Sequence, residues 1–226
     1  MRRMKLVALA ALAVLALSAV VASAAQAEPE FKKESGSVAG VTIKTTSGTG
    51  EMKAGSSIKV TCTSDESSGE VTGAKTVGSI VVTFSGCEAK EGSGEACKAG
   101  SAEGAENGTV TTNSLKGKLV ETEVGTKVGL LLEPTAGTTY VTLYAKCLAL
   151  HKTTVTGSIV GEVSPLETYA TTGKLEYKLS GSKQAIRTYV YEGVEHTGAV
   201  LKAFSLLETP LVTSETVTFG EALKVT

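Results

Sequence analysis

A serine hydrolase needs a nucleophile, a base beside it and usually an acid that orients the base. The chain has two histidines, His151 and His196, and no Gly-x-Ser-x-Gly elbow to present a serine. Asp65 is its single aspartate, so the third triad member would have to be a glutamate. His151 follows the run that contains Cys147, and His196 sits in the turn-like Glu192–Gly198 stretch. Both read as surface histidines. A carboxylate pair could instead cleave a glycoside. Glutamates are too plentiful for any pair to stand out, and no Trp, six Tyr and four Phe make a thin platform for stacking a sugar. One aspartate also argues against an Asp-rich calcium loop. Ser47-Gly48-Thr49-Gly50 lacks the lysine and the following helix of a phosphate loop. The sequence therefore predicts no catalytic residue, no metal and no cofactor.

Arg187-Thr188-Tyr189-Val190-Tyr191 is the exception to this blandness. Strand alternation puts Arg187, Tyr189 and Tyr191 on one face. Tyr and Arg are enriched at binding hot spots, so these three form a candidate binding patch. The competing reading is a cross-strand packing or cation–π cluster on a half-buried sheet.

The four cysteines, Cys62, Cys87, Cys97 and Cys147, include no Cys-x-x-Cys pair, which argues against zinc and for disulfides in an oxidising compartment. Strand phase suggests the pairing. Cys62 is in step with Ile58 and Val60, and Cys147 with Val141, Leu143 and Ala145, so both point to a core. Cys87 lies out of phase beyond Gly86, and Cys97 sits in the glycine-rich stretch just after it. The expected bridges are a buried Cys62–Cys147 and a local Cys87–Cys97. The alternative, Cys62–Cys87 with Cys97–Cys147, would staple neighbouring strands.

These residues must be positioned by strands. From Glu34 onward, short runs of Val, Ile, Thr and Tyr are cut by Gly and Ser, the composition of strands and turns. Alternation marks Ser57–Thr63, Ser79–Phe84, Thr139–Leu148, Thr153–Val163, Lys174–Leu179, Ala185–Tyr191 and Thr216–Phe219, with weaker candidates at Val41–Lys44, Glu70–Thr72, Val110–Thr112, Leu115–Thr122 and Val128–Leu132. About ten short strands with period two predict an all-β antiparallel sandwich or barrel over residues 36–226. Glu91–Gly108 holds no large apolar residue and is expected to be a surface loop, and 28–35 a mobile leader.

Before them, Arg2–Lys5 is basic, Leu6–Ala22 is apolar, and Ala25-Gln26-Ala27 offers small residues for cleavage. Those are the three parts of a secretory signal peptide, expected as a helix over 1–27 and cleaved before Glu28, without stable membrane insertion afterwards. Removing Arg2, Arg3 and Lys5 leaves 19 basic against 23 acidic side chains, a net −4. No basic face for nucleic acid follows from that balance.

The runs SGEVTGAKTVGSIVVTFSGCEAK, TTNSLKGKLVETEVGTKVGLLLEP, VTGSIVGEVSP and TVTFGEALKV resemble a large group of uncharacterised secreted proteins of high-GC Gram-positive bacteria. The resemblance covers most of 40–226. It implies export and a β fold, and carries no activity. The expectation is a secreted extracytoplasmic β-domain with a non-enzymatic binding, envelope or matrix role, whose partner would be a cell-envelope or extracellular protein or glycan. The rivals are a secreted hydrolase with an unrecognised Ser/His/Glu site and a self-assembling surface protein.

Overall fold

The computed structural model describes residues 28–123 and 126–226. The expected signal peptide, 1–27, lies outside them. Within them the protein is all β, with 22 strands. Eight close on themselves as an antiparallel barrel: β1 (Thr42–Ser47), β2 (Ser64–Gly73), β3 (Thr76–Ser85), β4 (Leu115–Glu123), β5 (Lys127–Pro134), β6 (Ile159–Ser164), β7 (Ala170–Tyr177) and β8 (Leu211–Val225). Each pairs with the next in chain order, and β8 returns to pair with β1.

Period-two patterning explains the closure. Ile43 and Thr45, Val77 and Leu119, Leu132 and Val217 face inward, whereas Thr42, Lys44 and Thr46 on β1 and Thr216 and Thr218 on β8 face water. An apolar inside and a polar outside reverse the pattern of a transmembrane barrel.

Connections at the two ends of the barrel differ in length. β2 to β3 and β6 to β7 turn within a few residues, while β1 to β2, β3 to β4, β5 to β6 and β7 to β8 carry insertions. All four insertions leave from one end. Their strands pair into a second layer: Gly50–Ala54 with Ile58–Cys62, then Glu88–Glu91, Cys97–Gly100, Thr139–Ala145, Lys152–Gly157 and Leu201–Ala203. That layer buries Val60, Leu143, Val155 and Ala203 beneath the barrel, which is therefore closed at this end and open at the other.

The run read as one strand over Thr153–Val163 is broken at Gly157. Its φ is +107°, and a Cβ there would lie 2.3 Å from the Val200 carbonyl oxygen. Only glycine lets the chain step from the second layer, ending at Gly157, to the barrel strand starting at Ile159. We expect Gly157→Ala to destabilise the fold by about 1–3 kcal/mol, the range for strained overpacking. An unchanged urea midpoint would contradict this.

Three expectations need correction. The leader is not loose: Phe31 is buried, its strand Phe31–Lys32 pairs with Lys224–Val225, and Glu28 pairs with Lys75. An aromatic side chain covered by the last strand has a packing reason to be ordered. The Glu91–Gly108 stretch is not all loop, because Cys97–Gly100 forms a strand that bridges Glu88–Ala89 and Tyr144–Ala145, with Ala99 fully buried. Small residues can fill a tight inter-strand position that apolar counting overlooks.

The third correction is the disulfide pairing. The bridges are Cys62–Cys87 and Cys97–Cys147, with Cα atoms 4.0 and 5.7 Å apart. Cys62 does face the core, as its phase indicates. Gly86, at φ +62°, turns the chain so that Cys87 is fully buried beside it, just before the Glu88–Glu91 strand that pairs with Ile58–Cys62. Cys147 lies past the end of its strand at Ala145, so phase did not govern it.

Candidate functional site

The barrel encloses a cavity of about 60 Å³. It runs from Pro165, Thr168 and Ala170 at the open end to Thr45, Ser67 and Glu215 inside. Ile43, Leu130, Val163 and Phe219 face this space and remain only partly buried, though they belong to the barrel's apolar core. A core filled to ordinary density would cover them. Close approach of the strands shapes the walls: a Cβ on Gly161 would come within 2.6 Å of Leu175 and 2.9 Å of Tyr177. Phe31, Leu223 and Val225 line the cavity as well, so the paired chain ends narrow its mouth.

Polar groups gather at and behind the inner end: Thr45, Ser67 and Glu215 line the cavity, and Asp65 and Ser47 adjoin Glu215 without lining it. Asp65, Ser47 and Glu215 occupy one cross-strand row, because Ser47 faces Asp65 on one side and Glu215 on the other. Asp65 is 4% exposed and Glu215 6%. The Ser47 hydroxyl donates to Asp65 Oδ2, and the Thr45 and Ser67 hydroxyls are 2.8 Å apart. Asp65 Oδ1 has no hydrogen-bond partner. Burial away from water, reinforced by the nearby Asp65 charge and opposed by a hydrogen bond from Thr45, pushes the Glu215 carboxyl up to about 8. Burial also raises Asp65, against the Ser47 hydrogen bond. Tyr140 and Tyr177 are raised by burial first and by Glu215 next, with Asp65 adding to both. The four groups therefore lie within one field, between the barrel and the second layer.

Neither carboxylate is conspicuous in the sequence, yet a signal exists. Carrying the alternation of Val217 and Phe219 back along β8 places Glu215 and Thr213 inward. Carrying Val71 back along β2 does the same for Gly69, Ser67 and Asp65. A strand read only as Thr216–Phe219 stops one residue short of the acid.

The residues singled out from the sequence lie elsewhere. His151 is exposed on the turn that returns to Ala145, and His196 is exposed on the Val194–Thr197 strand, stacked on Tyr189 at 5.1 Å. Neither lines the cavity. Tyr189 and Tyr191 pack, partly buried, onto Val120, Leu131, Val160 and Ala199 on the outside of the barrel. Arg187 precedes their strand, Thr188–Tyr191, and pairs with Glu208 at 3.1 Å. The cation over Tyr191 is Lys118, 5.2 Å from the ring centre. The tyrosines thus attach the Thr188–Thr197 hairpin to the barrel wall.

No protein family matches the chain, and neither the curated proteins nor the solved structures contain a match.

Proposed function

We propose that the protein is an exported, non-enzymatic binding protein that holds a narrow apolar group in its barrel. One observation carries this reading: in a closed barrel, four inward apolar side chains stay partly uncovered around an apolar cavity with a polar inner end. Concave, mostly apolar sites with a few convergent polar groups are where small molecules bind. Eight-stranded barrels are just wide enough for one small ligand. Size restricts the occupant. The cavity is about two fifths of the ~150 Å³ apolar void that takes a benzene ring, so a linear chain can seat one end inside and extend through the mouth at Pro165, Thr168 and Ala170, where a ring would not enter.

Two disulfides support an oxidising location. The basic, apolar and small-residue segments at the N-terminus, and the resemblance to secreted Gram-positive proteins, support export. The polar outer faces of the strands suit a barrel surrounded by water.

The test is calorimetric titration of the protein without residues 1–27 with n-hexanol. Saturable binding near one equivalent is expected. Ala170→Trp, at the half-exposed mouth, should abolish binding while leaving the unfolding temperature unchanged. Absence of saturable binding, or binding indifferent to Ala170→Trp, would remove this reading.

A further inference from the structure

Resting on that reading, we infer that the inner end of the barrel recognises a cationic, hydrogen-bond-donating head, so that the ligand class is a narrow alkyl amine. Asp65 and Glu215 are two acids shielded from water on neighbouring positions of one row. Below them Tyr177 faces Thr213 across β7 and β8, one inward rung from the Leu175–Glu215 pair. Tyr177 is 2% exposed and Thr213 5%. The Tyr177 hydroxyl oxygen, Thr213 Oγ1 and Asp65 Oδ1 are all buried without a hydrogen-bond partner. Orphaned buried oxygens cost free energy that a suitable donor recovers.

The missing donor has a definite chemistry. Asp65 Oδ1 is a carboxylate oxygen and can only accept, whereas the Tyr177 and Thr213 hydroxyls can each donate as well as accept. Among the described residues, the one basic residue lining the cavity is Lys174, whose side chain is exposed and out of phase with the inward Leu175 and Tyr177. Nothing basic inside therefore balances the acids. An ammonium supplies three N–H donors and the missing positive charge at once. A carboxylate head would add a negative charge beside Asp65 in a water-poor site, and an alcohol brings one donor and no charge. The apolar wall above Glu215 then accepts the alkyl chain.

The acids also give binding a pH signature. Glu215 holds its proton at neutral pH, shielded with Asp65 and facing Tyr177 and Tyr140. An incoming ammonium takes the place of that proton, so amine affinity should rise from pH 6 to pH 8.5 while the amine itself stays charged.

The experiment compares n-hexylamine, n-hexanol and n-hexanoate by calorimetry on the mature chain at pH 7.5. We expect the amine to bind at least tenfold tighter than the alcohol and the carboxylate to bind more weakly than both. In the Asp65→Asn, Glu215→Gln double variant the amine-to-alcohol ratio should fall to about one, and the rise with pH should vanish. Near-UV circular dichroism reports whether the variant keeps its packing. A single Glu215→Gln chain, tested alongside, should show a partial fall in the ratio. If the alcohol binds as tightly as the amine, or hexanoate binds tighter, the head-group inference is wrong and the lumen reading stands. If none of the three binds, both are wrong.

Discussion

Unfolding free energy should fall as pH rises from about 4.5 to 8, and Glu215→Gln should flatten most of that slope. Glu215 lies 6% exposed on β8, and burial holds its carboxyl up to about 8 against an ordinary 4.5. The sign follows from proton counting. Between those two values the unfolded chain has lost the proton and the folded chain keeps it, so each rise in pH favours unfolding. The contribution is fully present below about 4.5, is lost across the window, and levels off above 8. At 1.36 kcal/mol per pKa unit the loss is at most about 5 kcal/mol, a large share of a typical domain's stability. Asp65, raised in the same direction, adds to it. The glutamine keeps the shape and cannot ionise, so at pH 8 the variant should be more stable than the parent by several kcal/mol. Urea unfolding at pH 5, 6.5 and 8 measures both chains. A parent whose stability is level or rises over that range would contradict the buried-acid account.

The second large effect concerns the disulfides. Cys97–Cys147 closes 50 residues and Cys62–Cys87 closes 25. In the chain-entropy picture these bridges contribute about 4.1 and 3.5 kcal/mol. The Cys97→Ser, Cys147→Ser variant should therefore lose about 4 kcal/mol, slightly more than the Cys62→Ser, Cys87→Ser variant. The difference comes from the longer closed loop, since both bridges join insertions that leave the barrel from different strands. Denaturant midpoints of the two variants measure the ordering. Non-reducing peptide mapping gives the pairing itself, and a Cys62–Cys147 peptide would contradict the strand arrangement described above.

Much of the fold was legible because one face of each strand is buried. Ile58–Cys62 and Leu115–Glu123 fall where alternation puts them, and Val60, Cys62 and Leu119 point inward as their phase requires. Legibility stopped where the period broke. Tyr140, which strict alternation would place opposite Val141, is buried with it where the register shifts between Thr139 and Val141, and a bulge leaves no residue signature. Ser79 takes a positive φ of 56° inside β3, another irregularity that composition does not announce. Leu131 is covered from outside by the Thr188–Thr197 hairpin, so β5 is apolar on both faces and its inner face cannot be picked by polarity alone.

The candidate site was less legible for a different reason. The residues conspicuous by type are the histidines and the Arg187–Tyr191 segment, and neither lines the cavity. Glu215 is one glutamate among many, and only the phase it shares with Val217 marks it as buried. The ring that brings Asp65 to Glu215 through Ser47 requires β8 to return to β1, a pairing between opposite ends of the chain. No local pattern encodes that closure.

The central claim is that the barrel interior is a binding site. Methyl-labelled NMR of the chain without residues 1–27, titrated with n-hexanol, tests it most directly. The account predicts saturable shifts at Ile43, Val77, Leu119, Leu130 and Val163, all lining the cavity. Shifts confined to the exposed Leu150, Val194 and Leu206, with the barrel methyls unmoved, would contradict it.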